Sequence, residues 1–120
     1  LRQPFQTAAL RYATLCREWQ FVEQHDQFQM SPTDIFDFRT QAKELRRILN
    51  QLAAAPNATE LVTAESSLTR FQILFRVWMH QETQENPYQV QVWENHLVAI
   101  ERLLHYGEGQ VDFPTQESKY

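Results

Sequence analysis

The sequence predicts an all-α fold: an antiparallel up-down-up-down four-helix bundle over residues 1–106, with a flexible C-terminal tail over 107–120. Three observations lead there. Both glycines, Gly107 and Gly109, lie beyond residue 106, and glycine weakens a helix interior by roughly 1 kcal/mol relative to alanine. Pro4, Pro32, Pro56 and Pro87 cut the glycine-free stretch into four blocks of helix length. Within each block apolar residues return at alternating steps of three and four, which keeps one stripe of a helix facing a partner.

The first helix is expected over 4–25, with Phe5, Ala8, Tyr12, Leu15, Trp19 and Val22 as its buried stripe. The second, over 32–55, opens on Ser31-Pro32-Thr33-Asp34. That run reads as an N-cap, a proline in the first turn and an acid near the positive end of the helix dipole. Its stripe is Ile35, Phe38, Ala42, Leu45, Leu49 and Leu52. The third, over 58–83, begins at Asn57-Ala58-Thr59-Glu60, a cap with an acid three residues on. Leu61, Ala64, Leu68, Phe71, Phe75 and Trp78 form its stripe. The fourth, over 87–106, starts behind Asn86-Pro87 and buries Val90, Trp93, Leu97, Ile100 and Leu104.

The connections 25–30, 55–57 and 83–86 are short, which forces successive helices to lie side by side and antiparallel. Helices of ~20 residues rising ~1.5 Å each give a bundle about 30 Å long. Long-chain helical cytokines need two long crossover loops, and this sequence has none. From Gly107 onward the apolar period stops and polar residues dominate, as in a frayed tail.

Composition narrows the function classes. The chain has 120 residues, 42% of them hydrophobic and 22% charged, enough for one core and too few for two. Fifteen acidic against 11 basic residues leave a formal net charge of −4. One cysteine, two glycines and five prolines exclude a disulfide scaffold, a zinc ribbon and a glycine-rich nucleotide loop. No apolar run approaches the roughly 20 residues needed to span a bilayer, so no membrane partner is expected. The lone Cys16 fits a reducing, cytoplasmic compartment. The opening Leu1-Arg2-Gln3-Pro4, without Met or an apolar signal segment, fits a processed product or an excised domain. Asn57-Ala58-Thr59 matches the glycosylation sequon, which matters only in a secreted chain.

Catalytic and metal readings find little support. A di-iron bundle needs glutamates and Glu-x-x-His pairs pointing inward from facing helices. The stripes hold neither carboxylate nor histidine, and no Glu-x-x-His occurs. Glu94, Glu101 and His105 flank the fourth stripe, as a solvated helix face would. His96 is followed by Leu97-Val98-Ala99-Ile100, and His80 by Gln81-Glu82-Thr83-Gln84. The chain resembles the histidine phosphotransfer domains in architecture, but those carry a Lys and a Gly soon after the reactive His, and a shared fold carries no function. His25 and His105 sit at helix ends, where a cation suits the dipole. Arg76 and His80 have three residues between them, so the Arg-x(4–6)-His pattern of RNA-cleaving helical domains is missing. Cys16 lies beside the first stripe, where cysteine acts as a small buried hydrophobe. No catalytic residue, cofactor or metal is therefore expected.

Two surface features stand out. Arg39, Lys43 and Arg46 advance at steps of four and three along the second helix, with Arg47 adjacent and with Asp37 and Glu44 as partial relief. Arg11 and Arg17 extend this stripe if the first two helices pack together. Such a patch suits a nucleic-acid backbone or an acidic protein surface, against a bland reading as a solvated face with weak local ion pairs. The second feature is the almost uniformly apolar segment 71–79. Once Phe71, Phe75 and Trp78 enter the core, Ile73 and Val77 point away from it, and Phe36 raises the same question on the second helix. A joined apolar patch on a small protein marks a binding surface, whereas single exposed apolar residues are ordinary.

The expectation is a non-enzymatic interaction module or small subunit of a larger assembly. It would bind a protein partner, or itself, through Ile73, Val77 and Phe36, with Arg39, Lys43, Arg46 and Arg47 supplying charge selectivity. The alternative is a small helical subunit of a ribonucleoprotein that contacts nucleic-acid backbone through the basic stripe. In size and helicity alone the chain resembles the small helical subunits of CRISPR effector complexes, and no motif adds to that.

Overall fold

The computed structural model describes residues 3–25, 31–82 and 87–108, with side chains at 3–20, 31–79 and 87–108. Four helices follow in order: α1 (Gln3–His25), α2 (Pro32–Ala54), α3 (Ala58–Glu82) and α4 (Pro87–Glu108). They form the antiparallel up-down-up-down bundle, with α1 against α2 and α4, and α3 against α2 and α4. No strand occurs among the described residues. The tail from 109 onward, with Val111 and Phe113, lies outside the described residues.

The start signals act as their chemistry requires. Ser31 is extended, and its Oγ accepts from the Asp34 N–H at 3.2 Å, while Pro32 opens the first turn. The Glu60 N–H donates to Asn57 Oδ1 at 2.9 Å, and Asn57 Nδ2 donates to the Ala55 carbonyl at 3.1 Å. The sequon asparagine is thus the N-cap of α3, which satisfies one of the N–H groups that a helix start leaves without an intrahelical acceptor.

Every stripe residue whose side chain is described is buried, except Ile35 and Val90, which are half-buried. Val22 lies outside the described side chains. Ile48, which the three-and-four spacing omits, is also fully buried, because α2 packs against α1 on one side and α3 on the other. All four helices send rings to one end of the core. Trp19 meets Phe38 at 4.9 Å and Trp78 at 6.5 Å between ring centroids, and Trp78 meets Trp93 at 4.7 Å. Phe38, Phe71 and Phe75 stack with separations of 5.3 to 5.7 Å. Such offset and edge contacts add to what burial of the rings contributes.

The fourth helix continues past the expected boundary. Gly107 belongs to α4 and is buried against Phe5. A Cβ there would stand under 3.0 Å from Cε1 and Cζ of that ring, so the residue is required by a close approach between helices and does not mark the start of a tail. Glycine read as a helix stop in the sequence; here its missing side chain lets α4 seat on α1.

Candidate interaction surfaces

The outward face of α3 is built by spacing. Val62, Ser66, Thr69, Ile73 and Val77 follow at steps of four, three, four and four, so they share the side opposite the buried stripe. All five are exposed, with Val62, Ile73 and Val77 between 54% and 61%. From Val62 to Val77 the face runs ~22 Å at ~1.5 Å per residue. Two exposed cations share it, Arg70 one turn from Ser66 and Ile73 and Arg76 one turn from Ile73; Arg76 Nη2 donates to Glu94 Oε1 of α4 at 2.9 Å, and Arg70 acts on Glu44 of α2. Phe36, 69% exposed, stands on α2. The Phe38–Phe75 ring contact sets it level with Val77 along the antiparallel α2/α3 pair. The three sequence-predicted apolar residues are therefore exposed toward the same end of the bundle, on two neighbouring helices.

The basic residues divide. Arg39, Lys43 and Arg46 line a groove between α1 and α2 that holds a hollow of about 350 Å³, with Gln20 on the α1 wall. A second hollow of about 290 Å³ shares Gln20 and Arg46 and adds Arg17 and Asn50. Arg17 thus joins the stripe as helix packing requires, while Arg11 does not line the groove. Arg47, one turn on from Lys43, does not line the groove. Its Nη2 binds Glu44 Oε1, its Nε donates to Glu44 Oε2 at 3.3 Å and its Nη1 donates to Gln51 Oε1 at 3.0 Å. The hydrogen bond from Arg47 holds the Glu44 carboxyl below its usual range, and Glu60 and Arg70 of α3 also act on the pair. Arg47 lies about 100° around α2 from Arg46 and about 40° from Lys43. The glutamate three residues before it was the sequence signal for this split.

Under the groove the polar groups belong to the core. The Tyr12 hydroxyl donates to the Ala42 carbonyl at 2.7 Å, tying α1 to α2. Burial raises the Tyr12 phenol well above its ordinary value, with the neighbouring Cys16 adding to the shift. Burial likewise raises the Cys16 thiol, against the opposing pull of Tyr12, Trp19 and Arg46. A thiol shifted upward holds its proton, so Cys16 is a packed hydrophobe with a poor nucleophile's chemistry.

Several polar side chains of α4 join it to its neighbours, and others pair within it. Gln72 Nε2 donates to Glu101 Oε2 at 3.1 Å, and Gln89 Nε2 donates to Glu18 Oε1 at 3.3 Å. His96 Nε2 stands 3.6 Å from Glu18 Oε2, and His105 Nδ1 stands 3.6 Å from Glu108 Oε2. Glu94, Glu101 and His105 therefore have separate partners and do not converge. Among the described residues no group of three or more His, Cys, Asp or Glu is placed to hold a metal ion. No helix among them is long and apolar enough to cross a membrane. The side chains of His25 and His80 lie outside the described set.

Compared with protein-family models, with curated proteins and with solved structures, the chain matches none.

Proposed function

We propose that this protein is a non-enzymatic interaction module, the small helical subunit of a larger assembly, and that it pairs with a second copy of itself through the outward face of α3. The observation that carries the reading is the exposed run Val62, Ser66, Thr69, Ile73, Val77, bordered by Arg70 and Arg76 and holding no carboxylate, in a chain of net charge −4. Two copies carrying like net charge repel, and the repulsion is least where neither copy presents a carboxylate. The run is also self-complementary. In an antiparallel pairing centred between Thr69 and Arg70, Val62 meets Val77 of the other copy, small Ser66 meets large Ile73, and Thr69 meets Arg70. That pairing is the isologous arrangement of a two-fold dimer, with small residues receiving large ones as helix packing favours. Phe36, level with Val77, extends the contact onto α2. Cys16 is a free buried thiol, which supports a reducing, cytoplasmic setting.

Light scattering coupled to size-exclusion chromatography tests the reading on wild type and on the Ile73→Glu, Val77→Glu double variant. Both substituted positions are more than half exposed, so the variant keeps its fold, which circular dichroism verifies. The wild type is expected to run as a dimer and the variant as a monomer. A wild type that stays monomeric at high concentration, or a variant that still dimerises, overturns the proposal.

A further inference from the structure

The groove between α1 and α2 points to a second docking surface. We infer that it binds an acidic, amphipathic helical segment of a partner protein, whose carboxylates at steps of four and three meet Lys43, Arg46 and Arg17. Four of the chain's 11 basic residues line this groove, and no acidic residue among the described ones does. Charge is sorted by helix face: Arg17 is turned into the groove, while its neighbour Glu18 faces Gln89 and His96 of α4. No carboxylate among the described residues lies within ion-pair distance of Arg17, Lys43 or Arg46. Among the described residues Arg17 makes one long hydrogen bond, 3.3 Å, to Thr14 on its own helix.

The shape selects a linear ligand. The two hollows share Gln20 and Arg46, so they continue each other from Arg39 to Asn50 along α2. At ~1.5 Å per residue that is ~16 Å, about three helical turns. Between the cations the floor is Ala42 and Leu49, 6% and 1% exposed, so the groove engages the segment through its carboxylates. A nucleic-acid strand is the poorer fit. Single strands gain much of their affinity by stacking bases on exposed rings, and here Tyr12 and Trp19 are exposed by only 1% and 2%. The net charge of −4 also repels a long polyanion that extends beyond the groove.

The test is fluorescence anisotropy with a labelled helical peptide of about 15 residues, enough to cover the groove at ~1.5 Å per residue, carrying glutamates on one face at steps of four and three. Comparison ligands are a peptide of the same composition with its glutamates spread around the helix, and a labelled single-stranded oligonucleotide. Wild type is expected to bind the patterned peptide saturably, more weakly as salt rises from about 50 to about 200 mM. The Lys43→Glu, Arg46→Glu variant should lose about tenfold or more in affinity, and Lys43→Gln, Arg46→Gln a smaller factor. All four changes are at exposed positions, and circular dichroism verifies the fold. No binding at low salt, equal binding by the variants, equal binding of the two peptides, or tighter binding of the oligonucleotide overturns the inference. Because α3 is untouched, the dimer assay reads the same in these variants, so the two proposals fail separately.

Discussion

Replacing Gly107 with alanine tests how closely α4 sits on α1. The new methyl would stand under 3.0 Å from Cε1 and Cζ of Phe5 and 3.2 Å from Cδ1, so ring or helix must give way. Phe5 is fully buried, and its ring cannot swing into water. Forcing extra volume into a packed core costs about 1–3 kcal/mol. Alanine returns up to about 1 kcal/mol as the better helix former, less near a helix end. The expected net is a loss of roughly 0–2 kcal/mol, and the sign is decided by the ring. In a Phe5→Leu background the obstruction is gone, and the same substitution should be neutral or stabilising. The coupling between the two sites, about 1–3 kcal/mol, is therefore the quantity to measure. Thermal melts of the four proteins by far-ultraviolet circular dichroism supply it, at about 4 °C per kcal/mol for a chain of this size. If Gly107→Ala has the same effect in both backgrounds, or stabilises the wild type, the close seating is refuted.

Two further predictions concern polar groups on α3. Ser67 is fully buried and its hydroxyl has no hydrogen-bond partner among the described residues, so Ser67→Ala should raise stability by about 1 kcal/mol in chemical denaturation; a lower midpoint would reveal a partner the geometry does not show. Burial raises the Glu65 carboxyl, helped by the nearby Glu108 and opposed by His105. A carboxyl with a raised folded-state value binds its proton more tightly when folded. Its stabilising contribution is present at low pH and is lost as pH rises through that value. Glu65→Gln should therefore flatten the decline in melting temperature between about pH 4 and pH 7, and an unchanged profile would contradict the assignment.

Much of the architecture was legible because it depends on local chemistry. Ser31 and Asn57 cap α2 and α3 as their side chains allow, and the apolar stripes fix which faces turn inward. Outward placement of Ile73, Val77 and Phe36 follows from the same periodicity. What escaped depends on neighbours distant in sequence. Arg17 could be named beside Arg46 once α1 and α2 were expected to pack, but Gln20 and Asn50 carry no signal that they share a groove wall. Gly107 reads as a stop unless Phe5 is known to lie above it, 102 residues away. Arg47 stays off the groove because it lies about 100° around the helix from Arg46, and its tie to Glu44 was visible in the spacing.

All three tryptophans of the chain meet in the ring cluster where the end of α1 and the start of α4 approach, far from Phe5 and Gly107. Intrinsic emission is therefore a local gauge of one end of the bundle, while the amide signal averages over its whole length. Coincident midpoints from the two spectra mean that the molecule melts as a single unit. An amide transition that precedes the emission change means that the helices unzip from the Phe5 end, with the indole cluster the last part to give way.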